Sequence, residues 1–440
     1  MANNVFANMF KIKDLRDRIF FTIIVLAIFR LGSVLTIPGI DPKALTLFFK
    51  QGQGNAFADH MDFFVGGAFS NFSVFMLGVI PYISTQILMQ LAMIIFPRLK
   101  KVAEEDGGRK RIQVWTRVIT VFVALFQSSA VATWSRSIPG AIIMPNHSLH
   151  LFVAMVTVTT GTMVSIWLGE QITARGIGNG ISMLIFAGIV ARLPQAVWEL
   201  IKRVSSDSDP LNLVFVIIAF AMFIGIIALV IYEQQGQRKI PVHYAKRVIG
   251  RKMYGGQNTY IPFKINPSGV IPIIFASSFL TFPLMISQTL GSKAAWIASI
   301  ARFLRADGLA YNILYIILII FFAYFYTQVT LNPTEIAKQI RENAGSIPGI
   351  RTDKTEEYLQ KILNRLVFPG SLYLAAIAVL PNIIQWAFGF PHGISTLMGG
   401  TSLLILVGVD LDTMSQVEAT LKMHHHDGLL KKGRIRSRNL

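Results

Sequence analysis

The chain has no cysteine among its 440 residues, which excludes disulfides and thiolate metal sites. Charge is scarce: 15% of residues are Asp, Glu, Lys or Arg, against 53% hydrophobic. Mean hydropathy is +0.53. That balance excludes an ordinary water-soluble globule and places the chain among polytopic membrane proteins. Carboxylate pairs are missing from the apolar stretches. A proton- or sodium-coupled transporter buries such groups, so their lack counts against a small-solute carrier, the rival reading. Neither G-x-x-x-x-G-K-[ST] nor H-E-x-x-H occurs, so the chain has no phosphate-cradling loop and no zinc-protease helix of its own. No catalytic residue, cofactor or metal is expected. Gly176-x-Gly178-x-Gly180 has the wrong spacing for a dinucleotide loop and reads as a tight turn. His424-His425-His426 reads as part of a solvated tail, and Asp410 and Asp412 as solvated residues near a helix end. No small-residue cleavage site follows the first apolar run, so the N-terminal helix is expected to be retained.

What is present is apolar length. Residues 63–97 carry no charge, yet Gly66-Gly67 and Gly78-x-x-Pro81 interrupt them. A spanning helix needs about 20 apolar residues, so this run reads as a half-segment followed by a full span, from about Ser73 to Phe96. Broken helices are tolerated in a bilayer only inside protein or along a water-filled cavity. Nine further runs read as spans: Ile19–Pro38, Val118–Trp134, Leu149–Gly169, Gly180–Trp198, Leu211–Tyr232, Gly269–Leu290, Tyr311–Leu331, and a final stretch, Leu366–Val409, split in two at residues 389–393. With ten spans, one side carries 31 Lys and Arg and the other carries 9, Arg192 at the far end of the fifth run counted with its loop. Positive charge stays cytoplasmic, so both termini are expected there. Arg30 lies inside the first span. At mid-membrane it would cost roughly 2.5–3.5 kcal/mol, so it should snorkel or face the bundle interior.

Three basic segments are long: Arg98–Arg117, Glu233–Lys264 and Asn332–Arg365. They suit attraction to anionic lipid or docking of a large acidic or nucleic-acid-containing partner. Gly78-Val79-Ile80-Pro81-Tyr82-Ile83 recurs as Gly269-Val270-Ile271-Pro272-Ile273-Ile274. The two copies fall in the second and seventh spans, which suggests two inverted five-helix halves, residues 1–210 and 211–440. Pro81 and Pro272 are expected to kink these spans.

Two longer stretches carry a family resemblance. One is Leu77-Gly78-Val79-Ile80-Pro81-Tyr82-Ile83-Ser84-Thr85-Gln86, and the other runs from Trp167-Leu168-Gly169-Glu170-Gln171 to Gly180-Ile181-Ser182. Ile37-Pro38-Gly39-Ile40-Asp41, Ile347-Pro348-Gly349-Ile350-Arg351 and Gly399-Gly400-Thr401-Ser402 agree. With these motifs the chain resembles, over essentially its whole length, the SecY family of Sec translocon pore subunits. The resemblance implies an all-α polytopic membrane protein with ten transmembrane helices in two inverted halves. These form an hourglass pore closed by a plug, which conducts unfolded polypeptide and is not an enzyme.

The residues matching the family's pore ring are Val79, Ile83, Ile181, Ile185, Ile274 and Ile405. Apolar constrictions gate by dewetting, which suits aliphatic side chains here. The plug would be about 59–71, with Phe63, Phe64, Val65, Gly66, Gly67, Ala68, Phe69 and Ser70 at its centre. The lateral gate matches Ser84, Ile87 and Gln90 on one side and Ser278 and Phe282 on the other. Arg238, Lys239, Arg247, Arg251, Lys252 and Arg351 match the docking surface. Lys239 stands where the family has a second arginine, which changes any bidentate contact. The implied partners are SecE and SecG, the SecA motor ATPase, the ribosome, signal sequences and nascent chains, with no DNA. The implied location is the bacterial cytoplasmic membrane.

Overall fold

A backbone removed from water must satisfy its own N–H and C=O groups, so apolar runs of this length fold as helices. The computed structural model describes residues 12–50, 62, 65–206, 210–244, 247–249, 252–254, 258–290, 308–388 and 400–432. Its helices are α1 (Lys13–Gly32), α2 (Pro42–Lys50), α3 (Ile80–Ile95), α4 (Pro97–Glu104), α5 (Gly108–Trp134), α6 (His147–Arg175), α7 (Gly180–Ser206), α8 (Pro210–Gln235), α9 (Ile271–Leu290), α10 (Leu309–Thr330), α11 (Pro333–Glu342), α12 (Thr355–Phe388) and α13 (Gly400–Lys432). Each predicted run overlaps one of them. Among the described residues four helices are long and apolar enough to cross a membrane. The count is five if the pair α3 and α4, bent by 104°, is one span.

The two Gly-x-x-Pro motifs start helices and do not kink them. Gly78 has φ 51° and Gly269 has φ 59°. Ile80 and Ile271 open α3 and α9, so Pro81 and Pro272 are each the second helical residue. There a missing N–H costs nothing, because first-turn donors have no intrahelical partner. The span predicted from Ser73 therefore begins seven residues later, after a run of turns.

The all-α expectation fails outside the apolar runs. The basic segment 233–264 holds strands β1 (Gln237–Tyr244), β2 (Arg247–Ile249), β3 (Lys252–Tyr254) and β4 (Asn258–Lys264). β1 pairs antiparallel with β4, from Gln237↔Lys264 to His243↔Asn258. Its other edge pairs with β5 (Gly345–Ser346). The signal was alternation: Ile240 and Val242 are buried while Lys239, Pro241 and His243 are exposed.

The chain divides into two compact units: Met1–Val197 with Gln288–Ser292 and Ile405–Leu440, and Trp198–Ser287 with Lys293–Leu404. In the first, α5 packs against α3 and α6, and α1 against α6. Leu15, Ile177 and Val417 form a small core that ties α13 to α1 and the α6–α7 turn. In the second, α10 packs along α12. Ile240, Val242 and Phe263 of the sheet, Ala337 and Ile340 of α11, Ile347, and Leu359, Ile362 and Leu363 of α12 enclose one core.

One residue past the sixth predicted span, Glu233 is buried, and among the described residues its carboxylate has only the side chains of Asn266 and Gln234 close by, neither in good hydrogen-bond geometry. Burial pushes its carboxyl up to about 7, and the neighbouring Asn266, Gln234 and Lys264 pull it back only in part. An acid raised from 4.5 to about 7 on folding binds a proton more tightly in the folded state. Stability should therefore fall as pH rises through that window and level off above it. Glu233→Gln is expected to flatten that slope and stabilise the protein at pH 8 by about 3 kcal/mol. Thermal unfolding at pH 5 and pH 8 measures it, and equal pH dependence in both proteins would refute it.

Candidate functional site

The turns between residues 62 and 79 are held from several sides. The Asp62 carboxylate accepts from the backbone N–H groups of Phe69 (2.9 Å) and Ser70 (3.0 Å) and from the Arg192 guanidinium of α7. One carboxylate thereby closes the loop it starts. Arg30 of α1 donates to the Gly66 carbonyl at 2.8 Å, so its side chain turns into the protein. Gly66 has φ 66°, and a Cβ there would stand 2.5 Å from the Gly188 backbone of α7. Only a residue without a side chain allows that approach. Val65, Ala68 and Phe69 are buried. Phe69 and Phe72 each lie 5.6 Å, centroid to centroid, from Trp134. The segment then joins the chain after α1 through Ile37 N–H to Phe72 O and Val74 N–H to Leu35 O, both 2.9 Å. Val65 rests on Gly78, where a Cβ would lie 3.2 Å from its Cγ1. Phe63, Phe64 and residues 59–61 lie outside the described residues.

Val79, directly after Gly78, is the N-cap of α3. It is buried, as are Ile83, Ile185 of α7 and Ile405 of α13 in the same unit. Ile181 is half-buried and packs towards Gly169 of α6, where a Cβ would lie 3.2 Å from its Cγ1. Ile274 is buried in the other unit, on the first turn of α9. Of the gate residues, Ile87 is buried and Ser84 donates back to the Ile80 carbonyl at 3.1 Å. Gln90 keeps a buried side-chain oxygen without a partner. Ser278 is buried on α9; Phe282 lies on the same helix, its side chain outside the described residues.

The Gly176–Gly180 turn is structural. Gly178 N–H donates to Gln416 Oε1 of α13 at 3.0 Å, Gly180 N–H to Thr173 Oγ1 at 2.9 Å, and Ile177 N–H to Thr22 Oγ1 of α1 at 3.2 Å. These amides, which a phosphate would need, are already bonded. Glu170, in the same motif, pairs with Arg117 of α5 at 2.8 Å.

The basic candidates sit on the sheet and beside it. Arg238 and Lys239 are exposed on β1, and the Lys239 ammonium lies 4.7 Å above the Tyr260 ring. Arg247 and Lys252 fall in the β2–β3 pair, their side chains outside the described residues, as is Arg251 entirely. Arg351 is exposed at the end of a turn that buried Ile347 fixes to the core of this unit.

The sequence readings missed two members of the first cluster. Arg192, counted above with the loop charges, lies inside α7. Asp62 precedes the charge-free run and looks like a flanking residue. The available signal was a lone cation in each of two apolar segments, Arg30 and Arg192, since intramembrane charges are paired.

Comparison with known proteins agrees with the motifs. The SecY family profile matches residues 73–414. A protein translocase subunit SecY of Borreliella burgdorferi is 45% identical over 418 residues, 95% of each chain. Two solved structures share the fold. One comes from work on the plug domain of SecY stabilising the closed state of its translocation channel, with TM-score 0.64, 19% identity and 92% of each chain covered. The other is Sec61 in the canine ribosome–channel complex, with TM-score 0.63, 18% identity and 92% of each chain covered. With this profile match and identity over nearly its whole length, the chain belongs to the SecY family.

Proposed function

We propose that this chain is the protein-conducting channel subunit of a Sec translocon. It is not an enzyme; it passes unfolded polypeptide across the bacterial cytoplasmic membrane and releases hydrophobic helices sideways into it. Ten spans in two inverted halves, 1–210 and 211–440, form an hourglass. Val79, Ile83, Ile181, Ile185, Ile274 and Ile405 close its waist, and residues 59–71 plug it. The lateral gate lies between α3 and α9, and both termini are cytoplasmic. SecE and SecG complete the channel. The SecA motor or the ribosome docks on the basic sheet surface, which also meets anionic lipid. Membership of the family supports this reading. The observation that carries it is the seating of Val65 on Gly78, directly beside Val79. A segment rich in small residues packs there closely enough to seal and is short enough to leave.

The test uses the absence of native cysteine. Cysteine placed at Ile83 or Ile274 is expected to crosslink to a stalled secretory precursor. An engaged precursor that crosslinks at neither position would refute the ring assignment and reopen the small-solute transporter reading.

A further inference from the structure

We propose that Asp62, Arg192 and Arg30 form a charge latch that holds the plug and so sets which clients open the channel. This rests on reading residues 59–71 as the plug. Two guanidinium groups, one on α1 and one on α7, act on one small segment that carries the carboxylate. The Arg192 side chain of α7 holds the Asp62 carboxylate, whose other bonds, to Phe69 and Ser70 N–H, fix the shape of the loop. Arg30 of α1 holds the Gly66 carbonyl at 2.8 Å. Gly66 meets Gly188 one helical turn before Arg192, so the close contact and the ion pair lie on the same face of α7. The Asp62 side chain is 4% exposed and that of Arg192 24%.

Withdrawal of the segment separates a buried carboxylate from its guanidinium and strips a second guanidinium of its acceptor. Breaking a buried pair costs far more than breaking a surface one. Neither charge is needed to fill space: Val65, Ala68 and Phe69 already bury the apolar part of the segment. The latch therefore adds a polar threshold to an apolar seat. A client opens the channel only when engagement of its signal segment compensates for the separated charges. Weakening the latch lowers that threshold for every client, so poor signals gain most.

The experiment uses the full channel with its companion subunits in planar bilayers. Asp62→Asn and Arg192→Gln are each expected to raise resting ion conductance by about tenfold or more and to admit precursors with defective signals. Both changes together should leak no more than either alone, because they remove one interaction. In Asp62→Cys/Arg192→Cys protein a short bis-maleimide should restore the seal. That comparison uses one folded polypeptide before and after linkage, so it holds even if a single variant assembles poorly. A channel that leaks when residues 59–71 are deleted but stays tight in both single variants would overturn the latch and leave the plug reading standing. Additive leaks in the double variant, or a linked channel as leaky as the unlinked one, would also overturn it. If the deletion itself stays tight, the plug reading fails and the latch fails with it.

Discussion

Deletion of residues 59–71 is expected to raise resting ion conductance by an order of magnitude or more and to let precursors with defective signals through. The deletion removes Val65, Ala68 and Phe69, all buried, and exposes the face of Trp134 on which Phe69 packs. It spares Phe72, Ser73 and Val74, whose pairing with Leu35, Thr36 and Ile37 anchors the chain before α3. The fold should therefore survive with a lower unfolding temperature. Losing a buried phenylalanine alone costs about 3–5 kcal/mol. Arg192 and Arg30 lose their partners at the same time. Conductance and export of signal-defective precursors are the measurements. A tight, selective channel after deletion would show that the seal is made elsewhere.

Arg351→Glu is expected to lower motor-driven translocation by about tenfold, leaving membrane insertion and thermal stability unchanged. The side chain is exposed. The backbone role of the residue, accepting Lys354 N–H at 2.9 Å, does not depend on side-chain charge. What fixes its position is Ile347, buried with Leu359, Ile362 and Leu363. The substitution therefore reverses a charge on an intact scaffold. A reversed rim charge acts mainly on encounter and shows strong salt dependence. Translocation into proteoliposomes with the motor and ATP, at two salt concentrations, reads the effect. Normal translocation by the variant would remove Arg351 from the docking surface.

The sequence marked the helices through apolar length and the break at Gly78 and Gly269 through the repeated motif. It did not reveal what Pro81 and Pro272 do there. A proline after a glycine reads equally well as a kink or as a first-turn residue, and only the positive φ of the glycines decides. α5 begins at Gly108, ten residues before the predicted span, because Arg109, Lys110, Arg111 and Arg117 are good helix formers that hydropathy ignores. The hairpin of β1 and β4 was hidden because a high density of Lys and Arg drew attention to charge, while the alternation of Ile240 and Val242 is only two residues deep. Pairing of Asp62 with Arg192 spans 130 positions, and nothing local in either segment names the other.

The contact of Gly66 with Gly188 has a genetic consequence. Every codon for glycine begins GG, and every single-base change that alters the amino acid installs a side chain. At Gly66 the first carbon of any such side chain would stand 2.5 Å from the Gly188 backbone, on a residue whose φ of 66° already disfavours it. No conservative missense mutation exists at this codon. A replicating population would continually generate alleles with an unseated segment, each one base away, and restoration of the contact would require exact reversion or a compensating shift of α7.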